Sequence, residues 1–259
     1  RLAPADDIII QVERQLGIDP RCQLLASVMS KKLAVGADCV VVDIPTGLGA
    51  KVQTREEARD LAHDFIELAR RVNVQLEVAI TYGGQPVGYA VGPALEAREA
   101  FEALQGNGPG SLVEKATSLA GLMLELGGVV APGLGKQMAT EILRSGRALQ
   151  QLRRIIEAQG GNPEVKIDDL PIGQCKHVIE APVSGYVKRV YNERINAIAR
   201  AAGAPFDKGA GVRILLKEGR KVGRGEPLLE IYAEHEGKLD EAISVAKQNF
   251  PVLIEGMLL

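Results

Sequence analysis

A few polar side chains near the start of the chain have the types and spacing to touch one ligand and form half of an active site. In Asp19-Pro20-Arg21-Cys22-Gln23-Leu24-Leu25-Ala26-Ser27-Val28-Met29-Ser30-Lys31-Lys32, Asp19 stands eight residues before Ser27, and Ser27 and Lys31 are four apart. On a helix that last spacing puts both on one face, where they can touch the same ligand. Asp19 reads two ways. Its carboxylate suits a helix N-cap, with Pro20 at the first helical position. It also suits a general acid, which needs a pKa raised by burial or by a neighbouring carboxylate. Capping bonds and the helix dipole pull a carboxyl pKa the other way. Ser27 equally fits a packed helix serine, and Lys31 with Lys32 fits a helix C-terminus. A further candidate, Lys51, closes Gly47-Leu48-Gly49-Ala50-Lys51. There a point charge sits beside glycines that let a ligand approach backbone N–H groups. The plainer reading of that segment is a tight connection between a strand and a helix.

The elements that must position these residues follow from periodicity. Apolar spacing predicts helices over 4–16 and 20–33, with Gly17 and Gly36 as their stops. The β-branched run at 38–44 predicts a buried strand, and 74–81 predicts a second. Between them, Thr54-Arg55-Glu56-Glu57 opens an amphipathic helix to Arg71 with a capping signature. Strand, helix and strand form one βαβ unit, whose strands should run parallel through a right-handed crossover. Helices are expected over 93–104, 111–125, 136–144 and 146–159, and 164–176 reads as a connection. From His177 onward the chain reads as an α+β domain. Its strands are expected at 177–191, 212–216, 227–232 and 251–254, and its helices at 192–202 and 238–248.

Several familiar sites are excluded by their own chemistry. A Walker A loop needs a glycine before its lysine and a hydroxyl after it, whereas Ala50 and Val52 flank Lys51. No G-x-G-x-x-G occurs. Ala181-Pro182-Val183-Ser184-Gly185 with the later Gly219–Glu226 segment resembles the halves of a biotin or lipoate carrier domain, but the modified-lysine tripeptide is missing and a helix splits the halves.

Composition bounds the rest. With 259 residues, 46% hydrophobic, the chain can bury a core in about two domains. A net charge of −2 gives no electrostatic footprint for nucleic acid, and 3% aromatic residues argue against stacking platforms for single strands. Cys22, Cys39 and Cys175 are odd in number and widely spaced, which argues against a disulfide framework and fits a reducing compartment. No pair has metal-ligand spacing, and no apolar run is long enough for a membrane span. A cytoplasmic protein is expected.

Five segments in order resemble the thymidine/pyrimidine nucleoside phosphorylase family. They are Leu2-Ala3-Pro4-Ala5-Asp6; Leu25 to Leu33 with Ala34 and Gly36; Val42-Asp43 with Gly47, Gly49 and Ala50; Glu96-Ala97-Arg98-Glu99-Ala100 with Leu104 and Gly106; and Leu143, Ser145-Gly146 and Ala148 with Ala158-Gln159-Gly160-Gly161. Within the family the sequence is similar to the archaeal-type AMP phosphorylase branch. The pyrimidine enzymes carry a base-gripping arginine about fifteen residues before the serine that matches Ser27, and Val12 stands there.

The resemblance implies an α/β fold. A helical segment, 1–35, would pack beside a mostly parallel α/β domain, 36–175, followed by a C-terminal α+β domain, 176–259. It implies a pentosyltransferase: AMP plus phosphate giving adenine plus ribose 1,5-bisphosphate, with CMP and UMP as further substrates. Asp19 matches the proton donor, Ser27 and Lys51 match nucleotide-binding residues, and Lys31 matches a base contact of the pyrimidine enzymes. No metal or organic cofactor is implied, and phosphate is a co-substrate. A homo-oligomer, dimer or larger, is expected. The family's phosphate-binding segment precedes the residues that correspond to Arg1, so this chain alone is expected to be catalytically incomplete. The alternatives are a thymidine or pyrimidine nucleoside phosphorylase, or a non-catalytic assembly module.

Overall fold

The computed structural model describes residues 2–18 and 20–256, apart from the side chain of Arg14. The chain divides into two compact units. One comprises the residues up to 46, 52–81 and 118–138; the other comprises 47–51, 82–117 and 139 onward. Among the described residues no helix is long and apolar enough to cross a membrane.

In the first unit, α1 (Pro4–Leu16) opens with proline in its first turn and closes at Gly17, whose φ of 65° is the left-handed conformation glycine tolerates best. Its apolar residues Ile8, Ile9, Val12 and Leu16 are exposed, and among its described side chains the buried one is Asp6. Helix α2 (Arg21–Ala34) starts one residue later than the sequence predicts: Pro20 is the extended N-cap rather than the first helical residue. The Pro20 carbonyl already accepts from the Leu24 N–H at 3.0 Å, while its fixed φ of −67° is paired with an extended ψ of 134°. Asp19, the expected N-cap and acid, lies outside the described residues.

Strand β1 (Cys39–Thr46), helix α3 (Arg55–Arg71) and strand β2 (Gln75–Tyr82) follow. The capping box at α3 forms as expected. Thr54 Oγ1 accepts from the Glu57 N–H at 3.1 Å, and Glu57 Oε2 accepts from the Thr54 N–H at 3.3 Å. Strands β1 and β2 pair. The Gln75 N–H donates to the Asp38 carbonyl at 2.9 Å, and the Thr81 hydroxyl donates to Asp43 Oδ1 at 2.6 Å. Early residues meet early residues and late meet late, so the strands run in the same direction. Met29 of α2, Val40 and Ile44 of β1, and Leu61 and Phe65 of α3 belong to one buried cluster. The end of α5 (Gly110–Leu126) and the start of α6 (Gly135–Arg144) also belong to this unit. A Cβ on Gly121 would lie 2.5 Å from the Lys136 nitrogen, so the two helices touch backbone to backbone there.

The second unit holds two antiparallel sheets. One has the order β3 (Ala90–Val91), β6 (Gly211–Ile214), β8 (Pro227–Ala233), β4 (Cys175–Glu180). The other has the order β7 (Lys221–Val222), β5 (Gly185–Val190), β9 (Val252–Glu255). Helices α8 (Asn192–Ala201) and α9 (Glu236–Gln248) contribute Ile195, Ile198, Ala242 and Ala246 to a core shared with Val212, Leu228, Leu229 and Ile231. Helices α4 (Pro93–Leu104) and α7 (Arg147–Ala158) complete the unit, both at the predicted places. The chain is thus a mixed α/β protein. Among the described residues, parallel pairing between named strands is confined to β1 and β2. Strands β3 and β7, each two residues long, are too short to carry a periodicity and are not visible in the sequence.

Candidate functional site

Helix α2 presents two faces. At 3.6 residues per turn, Ser27 and Lys31 lie about 40° apart, while Met29 between them points about 160° away from either. Met29 is 2% exposed and faces the unit's core. Ser27 and Lys31 turn instead toward α1, where Asp6 is 7% exposed. Ser27 Oγ donates to Asp6 Oδ2 at 2.9 Å. Lys31 Nζ donates to the same oxygen, and also to Ser27 Oγ at 3.2 Å. Gln23 Nε2 approaches Asp6 Oδ1 at 3.4 Å, one turn earlier on α2. The bond from Lys31 holds the Asp6 carboxyl below the usual carboxylate range. Burial opposes this shift, and the Ser27 bond adds to it.

The structure therefore brings together Ser27 and Lys31 and adds Asp6, which sequence reading passed over as a site residue. Asp6 stands in Pro4-Ala5-Asp6-Asp7, a helix opening where acids are ordinary company for the dipole. Its one distinguishing property, burial against α2, is tertiary. Lys51 belongs to the second unit. Its loop follows β1 and is shaped by Gly47, with φ 150°, and Gly49, with φ 81°. The Ala50 N–H donates to the Gly47 carbonyl at 3.0 Å. A Cβ on Gly47 would sit 2.8 Å from the Gly84 nitrogen, so the loop and the turn after β2 pack backbone on backbone. Asn192, at the start of α8, donates to the Gly83 carbonyl at 2.9 Å and lies beside Gly49. Asn192 is a second positioning contact that the sequence did not reveal.

Two other features have the look of sites. The second unit has a cavity of about 360 Å³ lined by Tyr89, Arg98, Glu99, Glu102, Arg213 and Tyr232 among others, and none of the sequence-predicted residues lines it. Several of its polar walls are occupied internally. Glu99 accepts from the Tyr89 N–H at 2.7 Å, Arg98 Nε donates to the Leu170 carbonyl at 2.8 Å, and the Tyr232 hydroxyl donates to Glu230 at 2.6 Å. Elsewhere in that unit Asp207, Glu234 and His235 bring one ligand atom each within 4.8 Å of one another. There Asp207 is paired with Lys238 at 2.5 Å, and Glu234 accepts from the Gly209 N–H at 2.8 Å.

Comparison with known proteins places these observations in a family context. Residues 186–253 match the pyrimidine nucleoside phosphorylase C-terminal domain. All 259 residues are similar to an AMP phosphorylase of Thermococcus kodakarensis, at 59% identity over 52% of that protein. An AMP phosphorylase of Pyrococcus horikoshii is 58% identical over the same share, and one of Methanosarcina mazei is 52% identical over 51% of its length. The chain spans about half the length of the curated relatives it matches. The family resemblance read from the sequence is borne out along the whole chain.

Proposed function

We propose that this chain contributes the nucleotide-binding side of a pentosyltransferase that phosphorolyses nucleoside 5′-monophosphates, converting AMP and phosphate to adenine and ribose 1,5-bisphosphate. The observation that carries this reading is the 59% identity, across all 259 residues, to a relative named AMP phosphorylase. The pairing of Ser27 with Lys31 on one face of α2 supports it, because an edge of hydroxyl and ammonium suits a heterocyclic base or sugar.

The chemistry assigns the parts. Cleavage of the N-glycosidic bond builds positive charge on the ribose and negative charge on the departing base. Asp19 is the proton donor to that base, at N7 for adenine, a contribution on the order of 10²–10⁴-fold. Ser27 holds the base or sugar, Lys31 contacts the base, and Lys51 neutralises a phosphate. The reaction needs no covalent intermediate and no metal. Phosphate is the second substrate. In this reading residues 1–35 are part of a helical domain, 36–175 part of a mostly parallel α/β domain, and 176–259 a C-terminal α+β domain, in a cytoplasmic homo-oligomer.

The test is phosphate-dependent release of adenine from AMP by the complete protein, with Asp19→Asn as the critical variant. Turnover of AMP that falls at least a hundredfold in the variant supports the reading. Absence of AMP turnover, or an unaffected variant, refutes it. The alternative, a pyrimidine nucleoside specificity, draws on the match of residues 186–253 to the pyrimidine nucleoside phosphorylase C-terminal domain, and a higher kcat/KM for thymidine than for AMP would establish it.

A further inference from the structure

The bonds around Asp6 can be counted group by group. A serine hydroxyl has one donor and two acceptor positions, and an ammonium has three donors. Ser27 spends its donor on Asp6 and accepts one bond from Lys31. Lys31 directs one N–H to Asp6 and one to Ser27. Among the described residues this leaves one acceptor position on Ser27 and one N–H on Lys31 without a partner.

We infer that Asp6 is a positioning residue. By accepting from both Ser27 and Lys31 it turns the Ser27 hydroxyl inward and holds the Lys31 ammonium beside it, so that the pair offers a ligand one acceptor next to one donor. That pattern complements an amidine or amide edge of a nucleobase: the exocyclic N–H and adjacent ring nitrogen of adenine or cytosine, or the ring N–H and adjacent carbonyl of a keto base. Without the carboxylate the hydroxyl is free to rotate, its hydrogen can point at the ligand, and the edge loses its polarity. The burial of Asp6 at 7% exposure, on a helix whose Ile8, Ile9, Val12 and Leu16 are exposed, is the observation that demands a role for it.

The kinetic part of this inference rests on the phosphorolysis reading; the positioning of Lys31 does not. Two measurements therefore separate them. In the first, the complete protein and its Asp6→Asn variant are treated with an amine-acylating reagent without substrate, and labelling of Lys31 is followed by peptide mass spectrometry with Lys32 as internal reference. Loss of the carboxylate partner is expected to speed Lys31 labelling several-fold relative to Lys32, and equal ratios would overturn the inference. In the second, initial rates with AMP and phosphate are measured. Asp6→Asn is expected to raise the KM for AMP on the order of tenfold, with the KM for phosphate unmoved. In a Ser27→Ala/Lys31→Met background the same substitution should have no further effect on the KM for AMP, because the inference has Asp6 reach the ligand through those two side chains and not through Gln23, its remaining partner at 3.4 Å. Asp6→Glu, which keeps the charge, should recover part of the affinity. An equal effect of Asp6→Asn in both backgrounds would mark Asp6 as merely structural. If the wild-type protein does not turn over AMP, the functional reading fails and the labelling ratio alone decides the role of Asp6.

Discussion

Replacing Met29 by alanine tests whether the face of α2 opposite Ser27 and Lys31 anchors the helix. Met29 is 2% exposed and belongs to the cluster with Val40, Ile44, Leu61 and Phe65. The substitution removes Cγ, Sδ and Cε. At about 0.8 kcal/mol for each methylene-sized group, lost transfer energy comes to about 2.4 kcal/mol, and the unfilled space adds to it. A total near 3 kcal/mol falls inside the range of about 2–5 kcal/mol found for such truncations. That is a large part of a typical net stability of about 5–15 kcal/mol. For a chain of this size it corresponds to a Tm lower by about 6–12 °C. The assay is urea unfolding followed by far-UV circular dichroism, with the m-value checked for constancy. Met29→Leu refills the space and should cost under about 1.5 kcal/mol while leaving the KM for nucleotide unchanged. A loss below about 1 kcal/mol for Met29→Ala, at unchanged m, would refute the claim that this contact holds α2 in place.

Other substitutions probe other links. Thr54→Ala removes the capping acceptor of α3 and should cost about 1 kcal/mol by the same unfolding assay. Gly47→Ala forces a Cβ to within 2.8 Å of the Gly84 nitrogen at a φ of 150°, so the loop carrying Lys51 must shift; the KM for nucleotide should rise in the complete protein while that of Thr54→Ala stays put. In the second unit, burial opposes ionisation of Glu230, but bonds from Lys176 and Tyr232 outweigh it and hold the carboxyl below its usual range. A lowered folded pKa means that this stability is present above the unfolded pKa and is lost as pH falls through the folded one. Thermal midpoints measured from neutral to acid pH should therefore fall less steeply for Glu230→Gln than for the wild type. The bond that Lys176 donates to Glu230 raises the Lys176 pKa, against a smaller effect of burial, so its contribution is full below the unfolded lysine pKa and fades only as pH rises through the raised value.

Local signals accounted for most of the elements. Helices α1, α4 and α7 and the capping box of α3 fall where periodicity, glycine stops and the Thr54–Glu57 pair put them. These features depend on bonds and contacts within a few residues, which a sequence displays directly. The Ser27–Lys31 pair was legible for the same reason, since a four-residue spacing on a helix is already a spatial statement. The start of α2 was misplaced by one residue because proline at an N-cap and proline at the first helical position leave the same mark in a sequence. The short strands β3 and β7 exist only because longer strands, β6 and β5, give their backbones a partner.

The sequence by itself determined the family resemblance, the helix carrying Ser27 and Lys31, and the glycine-rich loop carrying Lys51. Only the tertiary structure decided what stands opposite that helix. Asp6 lies twenty-one residues before Ser27, and nothing in the pattern of Pro4-Ala5-Asp6-Asp7 distinguishes the acid that turns inward from the one beside it. The difference is set by how α1 lies on α2. There a carboxylate taken out of water must find its partners on the neighbouring helix, and it finds them in Ser27 and Lys31.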